Sequence, residues 1–158
     1  MRVPPSFGRR GEGWLVLQLL AMAAIVGTAF TGVYWPSDIA GALTVLGLVI
    51  AALGLVLLVV AAVSLGAAMT VLPKPRERGN LVQSGIYRAV RHPVYGAVLL
   101  IALGWSLAES PLGFIPTALL VVIFDLKARL EEAWLEEQYP GYAGYRSQTP
   151  RRFVPGVY

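Results

Sequence analysis

The chain has no cysteine and a single histidine, His92, among its 158 residues. Disulfides, thiolate metal ligands and cysteine nucleophiles are therefore excluded, and a His-rich metal site has no ligands to draw on. Charge is scarce as well. Only 14% of residues are Asp, Glu, Lys or Arg, while 56% are hydrophobic, a balance too apolar for an ordinary soluble domain of this size. The composition is that of an integral membrane protein with room for one domain. The formal net charge of +4 comes with no DNA- or RNA-binding signature, so it reads as an orientation signal beside an anionic leaflet, with no nucleic-acid partner. Whatever chemistry the chain performs must come from Arg, Glu, Tyr, Asn and the one His.

Two long stretches carry no charge, Trp14 to Trp35 and Ile39 to Leu72. The first is long enough to cross a hydrocarbon core of about 30 Å. It holds Trp14, Tyr34 and Trp35 at its ends, where aromatic belts form. It exceeds a signal-peptide core of about 7–15 residues and lacks a clear small-residue cleavage site, so a retained helix is expected. The second would be about 50 Å long if wholly helical, too long for one upright crossing. It must tilt, break or emerge; Gly66, Ala67 and Ala68 are the expected bend, and Pro73 and Pro75 end the helix. Gly41, Gly47, Ala51, Gly54 and Ala61 are small enough for close helix packing.

Residues 73–92, PKPRERGNLVQSGIYRAVRH, form the one long polar connection, and loops of that length usually carry function. Pro93 to Leu107 and Leu112 to Phe124 follow as a helical hairpin of two segments, each short for a crossing. From Asp125 the second continues as DLKARLEEAWLEEQ until Tyr139, Pro140 and Gly141 stop it. The tail after it is rich in aromatics and Arg and lacks helical periodicity.

The expected fold is all-α, a polytopic membrane helix bundle of about four transmembrane helices with a cytoplasmic C-terminal helical extension and tail. It spans 1–158 as a single membrane domain: an N-terminal transmembrane pair (1–72), a cytoplasmic loop (73–92), the hairpin (93–124) and a cytoplasmic helix and tail (125–158). Four crossings place all 13 Lys and Arg residues on one side and leave only Asp38 and Glu109 in the opposite turns. The positive-inside rule then puts both termini in the cytoplasm, with the cell inner membrane the expected location.

Two polar clusters share that cytoplasmic face. In GIYRAVRHPVYG, Pro93 suits the first turn of a helix, with His92 at or next to the N-cap. The free N–H groups of that turn, beside Arg88, Arg91 and His92, suit an anion; a basic collar meeting lipid phosphates is the plainer reading. In the helix after the fourth segment, Leu119, Ile123, Leu126, Leu130 and Trp134 form an apolar stripe with Glu131 at its flank. Glu132 shares a more polar face with Asp125, Arg129 and Glu136. That face reads plainly as solvated, with Arg129 paired internally. Together the clusters offer a cationic site, an acidic partner and aromatic walls, which is what a zwitterionic cofactor with a flat ring requires.

The motifs G-x-Y-x-x-x-R-H-P-x-Y-x-G, then E-E-x-x-L, an aromatic-Pro-Gly turn and Y-x-x-Y-x-x-x-x-P-R, over about residues 79–158, resemble the isoprenylcysteine carboxyl methyltransferase and phospholipid methyltransferase superfamily. The resemblance implies an integral membrane enzyme using S-adenosylmethionine; no metal is expected, because the chain has one His and no Cys to hold it. The resemblance also implies a cofactor site of Tyr87, Arg91, His92, Pro93, Tyr95, Gly96, Glu131 and Glu132. Arg91, Glu131 and Glu132 would be catalytic, and Tyr142, Tyr145, Arg151 and Arg152 would close the pocket or face the substrate. The acceptor is expected to be a lipophilic small molecule, a membrane lipid or a prenylated group, such as a prenylcysteine-like carboxylate. The alternatives are an NADPH-dependent membrane reductase of the sterol-reductase type, for which the chain has too few helices, and a non-enzymatic membrane scaffold or lipid-binding protein, which leaves the paired motifs unexplained.

Overall fold

The computed structural model describes residues 3–75 and 79–154. The five α-helices described are α1 (Glu12–Gly27), α2 (Ser37–Leu65), α3 (Pro93–Glu109), α4 (Phe114–Gln138) and α5 (Tyr142–Gln148), with short 3-10 turns between them. Among the described residues there is no strand. Three helical stretches are long and apolar enough to cross a membrane, Glu12–Phe30, Ser37–Ala68 and Pro111–Gln138. The fourth, α3, has 17 residues, about 26 Å at 1.5 Å per residue, slightly less than a hydrocarbon core. The all-α membrane bundle expected from composition is the fold the chain adopts. Of about four expected crossings, three have full length.

Helix ends follow local chemistry. Helix α2 ends at Gly66 (φ 52°), where only a bend was expected, and does not run on to Pro73 and Pro75, because a positive φ costs a glycine little. Pro93 starts α3 at its first position with His92 as N-cap. After Pro140 and Gly141 break α4, the tail forms α5, contrary to the expectation of a tail without helix. Seven residues are too few to display a period, but Tyr142 and Tyr145, one turn apart, are both buried.

The helices pack in the order α2, α3, α4, α1. Between α2 and α3 the backbones themselves touch. A Cβ on Gly104 would lie 2.5 Å from the Gly47 carbonyl oxygen and 2.6 Å from the Ala51 nitrogen, and one on Gly54 would lie 2.9 Å from the Ala97 carbonyl. Small residues allow this approach, which membrane helices need because lipid offers no hydrophobic drive toward association. On the other side, Trp14, Ala21 and Ile25 of α1 pack with Leu120, Ile123, Phe124 and Ala128 of α4.

On α4 the apolar stripe expected from sequence turns inward at Ile123 and Leu130, with Leu126 and Trp134 packed against the core, but not at Leu119, and charged residues share the inward face. Leu119 is 54% exposed, whereas Lys127 and Glu132 are buried with Leu120, Phe124, Ala128 and Leu130. The reason is the solvent: in a bilayer apolar side chains face lipid freely, and polar ones turn into the protein.

One end of the bundle gathers the N-terminus of α1, the C-terminus of α2, the N-terminus of α3 and the C-terminus of α4. There the Lys74 N–H donates to the Arg10 carbonyl (3.3 Å), and α3 and α4 join through charged side chains. At the opposite end Ser110 donates to the Val33 carbonyl (2.6 Å) and Thr44 to the Ala108 carbonyl (3.2 Å). Arg2, Arg76 and Arg78 lie outside the described residues.

Candidate functional site

The chain enters α3 through a turn at Gly85–Arg88 and a short irregular stretch. There the Arg91 N–H donates to the Arg151 carbonyl (3.0 Å) and the His92 N–H to the Arg152 carbonyl (2.8 Å). The tail thus crosses just before α3 and takes up the two amides that precede its first turn. Gly96 makes the crossing feasible, since a Cβ there would collide with the Phe153 carbonyl oxygen.

Glu132, on α4, is the hub of the cluster. Its carboxylate accepts from Arg91 Nε (2.9 Å), from Arg152 Nε and Nη2 (3.2 and 3.1 Å), and faces His92 Nε2 (3.2 Å). Its side chain is only 5% exposed. A carboxylate this deep is tolerable only because cations surround it. Arg91 Nη1 also donates to the Thr149 carbonyl (2.6 Å), and Arg152 Nη1 to Asp125 (2.8 Å), which pairs with Arg129 at 2.6 Å. The internal Arg129 pairing expected from its spacing is present, but Glu132 is not on a solvated face.

Glu131 is committed differently. It accepts one hydrogen bond, from the Tyr95 hydroxyl (2.6 Å), and lies 3.7 Å from His92 Nδ1. The His92 ring therefore sits between two glutamates. It stacks on Tyr95 with centroids 5.2 Å apart, and Tyr95 stacks on Phe124 at 4.7 Å.

A cavity of about 80 Å³ opens beside His92, lined by Tyr87, Arg91, His92, Glu131, Tyr142 and Tyr145, by Tyr139, and by the apolar side chains of Leu65, Leu81, Val82 and Leu135. The Tyr145 hydroxyl donates to the Tyr87 carbonyl (2.7 Å), and the Tyr139 hydroxyl to the Gly79 carbonyl (2.7 Å). Burial pushes the Tyr145 phenol up to about 12, although nearby Arg91 opposes it. Burial raises Tyr87 and Tyr142 further, with Glu131 adding at Tyr87 and Glu132 at Tyr142. All three are neutral phenols at physiological pH, suited to hydrogen bonding and not to proton abstraction. Tyr142 is 1% exposed, and its hydroxyl has no hydrogen-bond partner among the described residues.

A second, wider concavity of about 560 Å³ lies across the Arg91–Glu132 pair, lined by Arg129, Glu136, Arg146 and Arg152 among others. Each of its arginines already has a carboxylate partner.

Of the residues singled out from sequence, Tyr87, Arg91, His92, Glu131, Tyr142 and Tyr145 meet in the first cavity. Tyr95 and Glu132 stand directly behind that wall, touching His92. Pro93 and Gly96 do not line it; they start α3 and admit the tail. Arg152 lines the second concavity, and Arg151 enters through its carbonyl with its side chain exposed. Sequence reasoning did not single out Tyr139, which lines the first cavity, and placed Asp125 on the face of Glu132 without giving it a part in the site. For Asp125 a signal existed in its spacing of seven from Glu132, two helical turns along one face.

Fold and site define a class of protein: a helical membrane protein whose acids and cations are buried at one end of the bundle beside a tyrosine-walled cavity. Within that class, the sequence profile described as phospholipid methyltransferase matches residues 42–141, well over half of the chain. The protein belongs to the phospholipid methyltransferase family, part of the membrane methyltransferase superfamily that also holds the isoprenylcysteine carboxyl methyltransferases. It is a membrane methyltransferase. The match begins inside α2 and ends before α5, so α1, α5 and the tail lie outside it. No curated protein matches the chain.

Proposed function

We propose that the protein uses S-adenosylmethionine to methylate a lipophilic acceptor at the cytoplasmic face of the cell inner membrane, with both termini in the cytoplasm and residues 1–158 acting as one membrane domain. The observation that carries the reading is the composition of the first cavity. It combines an acid (Glu131), a cation (Arg91) with His92, and aromatic and apolar walls, the set that an amino acid joined to a flat heterocycle requires. The orphaned Tyr142 hydroxyl is a donor that a bound molecule would satisfy. The second concavity is wider but has no aromatic wall. The first cavity, at about 80 Å³, is smaller than the roughly 300–1,000 Å³ of sites for such molecules. A molecule of that size therefore requires the cavity to widen.

Glu131 suits the ammonium group, because its Oε1 has no partner among the described residues. Arg91 and His92 supply the side suited to a carboxylate. Glu132 holds Arg91, His92 and Arg152 in place and acts as a positioning residue. When bound, S-adenosylmethionine supplies a methyl group on a cationic sulfur. The chain's part is to align the acceptor with that methyl and to keep water out. A carboxylate acceptor, such as a prenylcysteine-like one, needs no proton removed; an amine or thiol does.

The test is calorimetric titration of S-adenosylmethionine and S-adenosylhomocysteine into detergent-purified protein, with NADPH as comparator. Binding of the first two and not the third is expected. Folded protein that binds neither sulfur compound overturns the reading.

A further inference from the structure

Lys127 is 2% exposed, inside a helix that crosses the membrane. No carboxylate pairs with it among the described residues. A buried ammonium in such a place is costly and calls for a reason. Its contacts are specific. Nζ donates to Gln18 Oε1 on α1 (2.7 Å) and to the Val71 carbonyl in the segment after α2 (3.0 Å), and it stands 5.2 Å from the Tyr95 ring centroid on α3. One cation thus joins α1, α3 and α4 to the segment that follows α2.

Two of the contacts lead to the cavity, and the third ties in α1. Tyr95 carries the hydrogen bond to Glu131 and the stack under His92. Val71 lies between Thr70 and Pro75, both of which line the cavity. Gln18 belongs to α1, which the family match leaves out. A Lys and a Glu four residues apart on α4 share a face, yet Lys127 and Glu131 form no ion pair within 4 Å. Tyr95 stands between them, touching Lys127 with its ring and Glu131 with its hydroxyl.

We infer that Lys127 is a positioning residue of the methyltransferase site: its ammonium holds Tyr95, and through it Glu131, while tethering the 69–75 wall and α1 to α4. Helix α1 is thereby a working part of the enzyme. The cofactor arm of the test rests on the reading above; the tether does not.

Three variants test it: Lys127→Met, Lys127→Arg and Tyr95→Phe. In the cofactor-free protein, hydrogen exchange at 69–75 should quicken about tenfold in Lys127→Met and return toward wild type in Lys127→Arg, with the α2–α3 seam unchanged. Exchange unaltered in Lys127→Met overturns the tether, and this comparison decides it even if the wild type binds no S-adenosylmethionine. By calorimetry, Lys127→Met and Tyr95→Phe should each weaken S-adenosylmethionine binding about tenfold, and the double variant no more than twofold beyond either. Contacting residues acting through one another are non-additive in this way. Losses that multiply, or an unchanged Kd in Lys127→Met, show a merely structural lysine. If Lys127→Met does not fold, Lys127→Gln, which keeps a donor without the charge, takes its place under the same criteria.

Discussion

The two faces of α3 are held by opposite means. Toward α2 it offers glycine and alanine, and the helices meet backbone to backbone at Gly47, Gly54 and Gly104. At its start, toward α4 and the tail, it offers Arg91, His92 and Tyr95, and the junction is a network centred on Glu132. The first seam needs only the absence of side chains, so it is rigid and chemically silent. The second needs every charge matched, so it can be emptied, shifted or completed by a ligand. The proposed methyl-transfer site lies on the side where packing depends on charges.

Removing a charge should hurt more than adding a methyl. Glu132→Gln leaves Arg91, His92 and Arg152 without their shared anion, and a loss of about 3–5 kcal/mol is expected from breaking a buried pair, measured by chemical unfolding in detergent. A loss below about 1 kcal/mol would mean that the network is ornamental. Gly104→Ala places a methyl against the Gly47 and Ala51 backbones; overpacking of about 1–3 kcal/mol should follow, with little dependence on pH.

Adjacent glutamates sharpen the contrast. Glu131→Gln keeps an acceptor for the Tyr95 hydroxyl, so stability should change by less than about 1 kcal/mol, while S-adenosylmethionine binding weakens at least tenfold. Equal effects of the two substitutions on stability would erase the distinction drawn between them. Tyr142→Phe should leave unliganded stability within about 0.5 kcal/mol of wild type, or slightly higher, because the lost hydroxyl has no partner. Affinity should still drop several-fold if a ligand uses that donor.

A pH dependence follows from the buried phenols at Tyr87, Tyr142 and Tyr145, whose folded pKa values are raised. Below about pH 10, the value for an unfolded tyrosine, they are neutral in both states and their contribution is intact. Above it the unfolded chain releases protons that the folded one retains, so stability falls as pH rises, through about 12 for Tyr145. Thermal unfolding across pH 9–11 should show the decline, and Tyr145→Phe should reduce it.

Much of this was legible in the chain. The start of α3 at Pro93 follows from a ring without an N–H, and the break at Gly66 from a backbone that only glycine adopts cheaply, although there the helix was expected to bend and run on to Pro73. The pairing of RHPxY with EE was visible as a motif. The outward turn of Leu119 and the burial of Lys127 and Glu132 on α4 were not. Its apolar pattern marks Leu119 as core, but lipid accepts leucine as readily as protein does, so periodicity alone does not distinguish inside from outside. The tail's crossing over Arg91 and His92 was hidden for another reason: it uses carbonyls, which every residue has, and a glycine whose role appears only once Phe153 lies against it.

The sequence by itself determined a membrane location, an all-helical bundle and the end at which charge collects, because these depend on hydropathy, helix-ending residues and charge order along the chain. Tertiary structure alone decided which glutamate is locked among cations and which faces the cavity, and that Lys127 reaches Gln18, Val71 and Tyr95. Those outcomes depend on distances between segments far apart in the chain, and neighbouring glutamates have the same local propensities until the fold gives each its own surroundings.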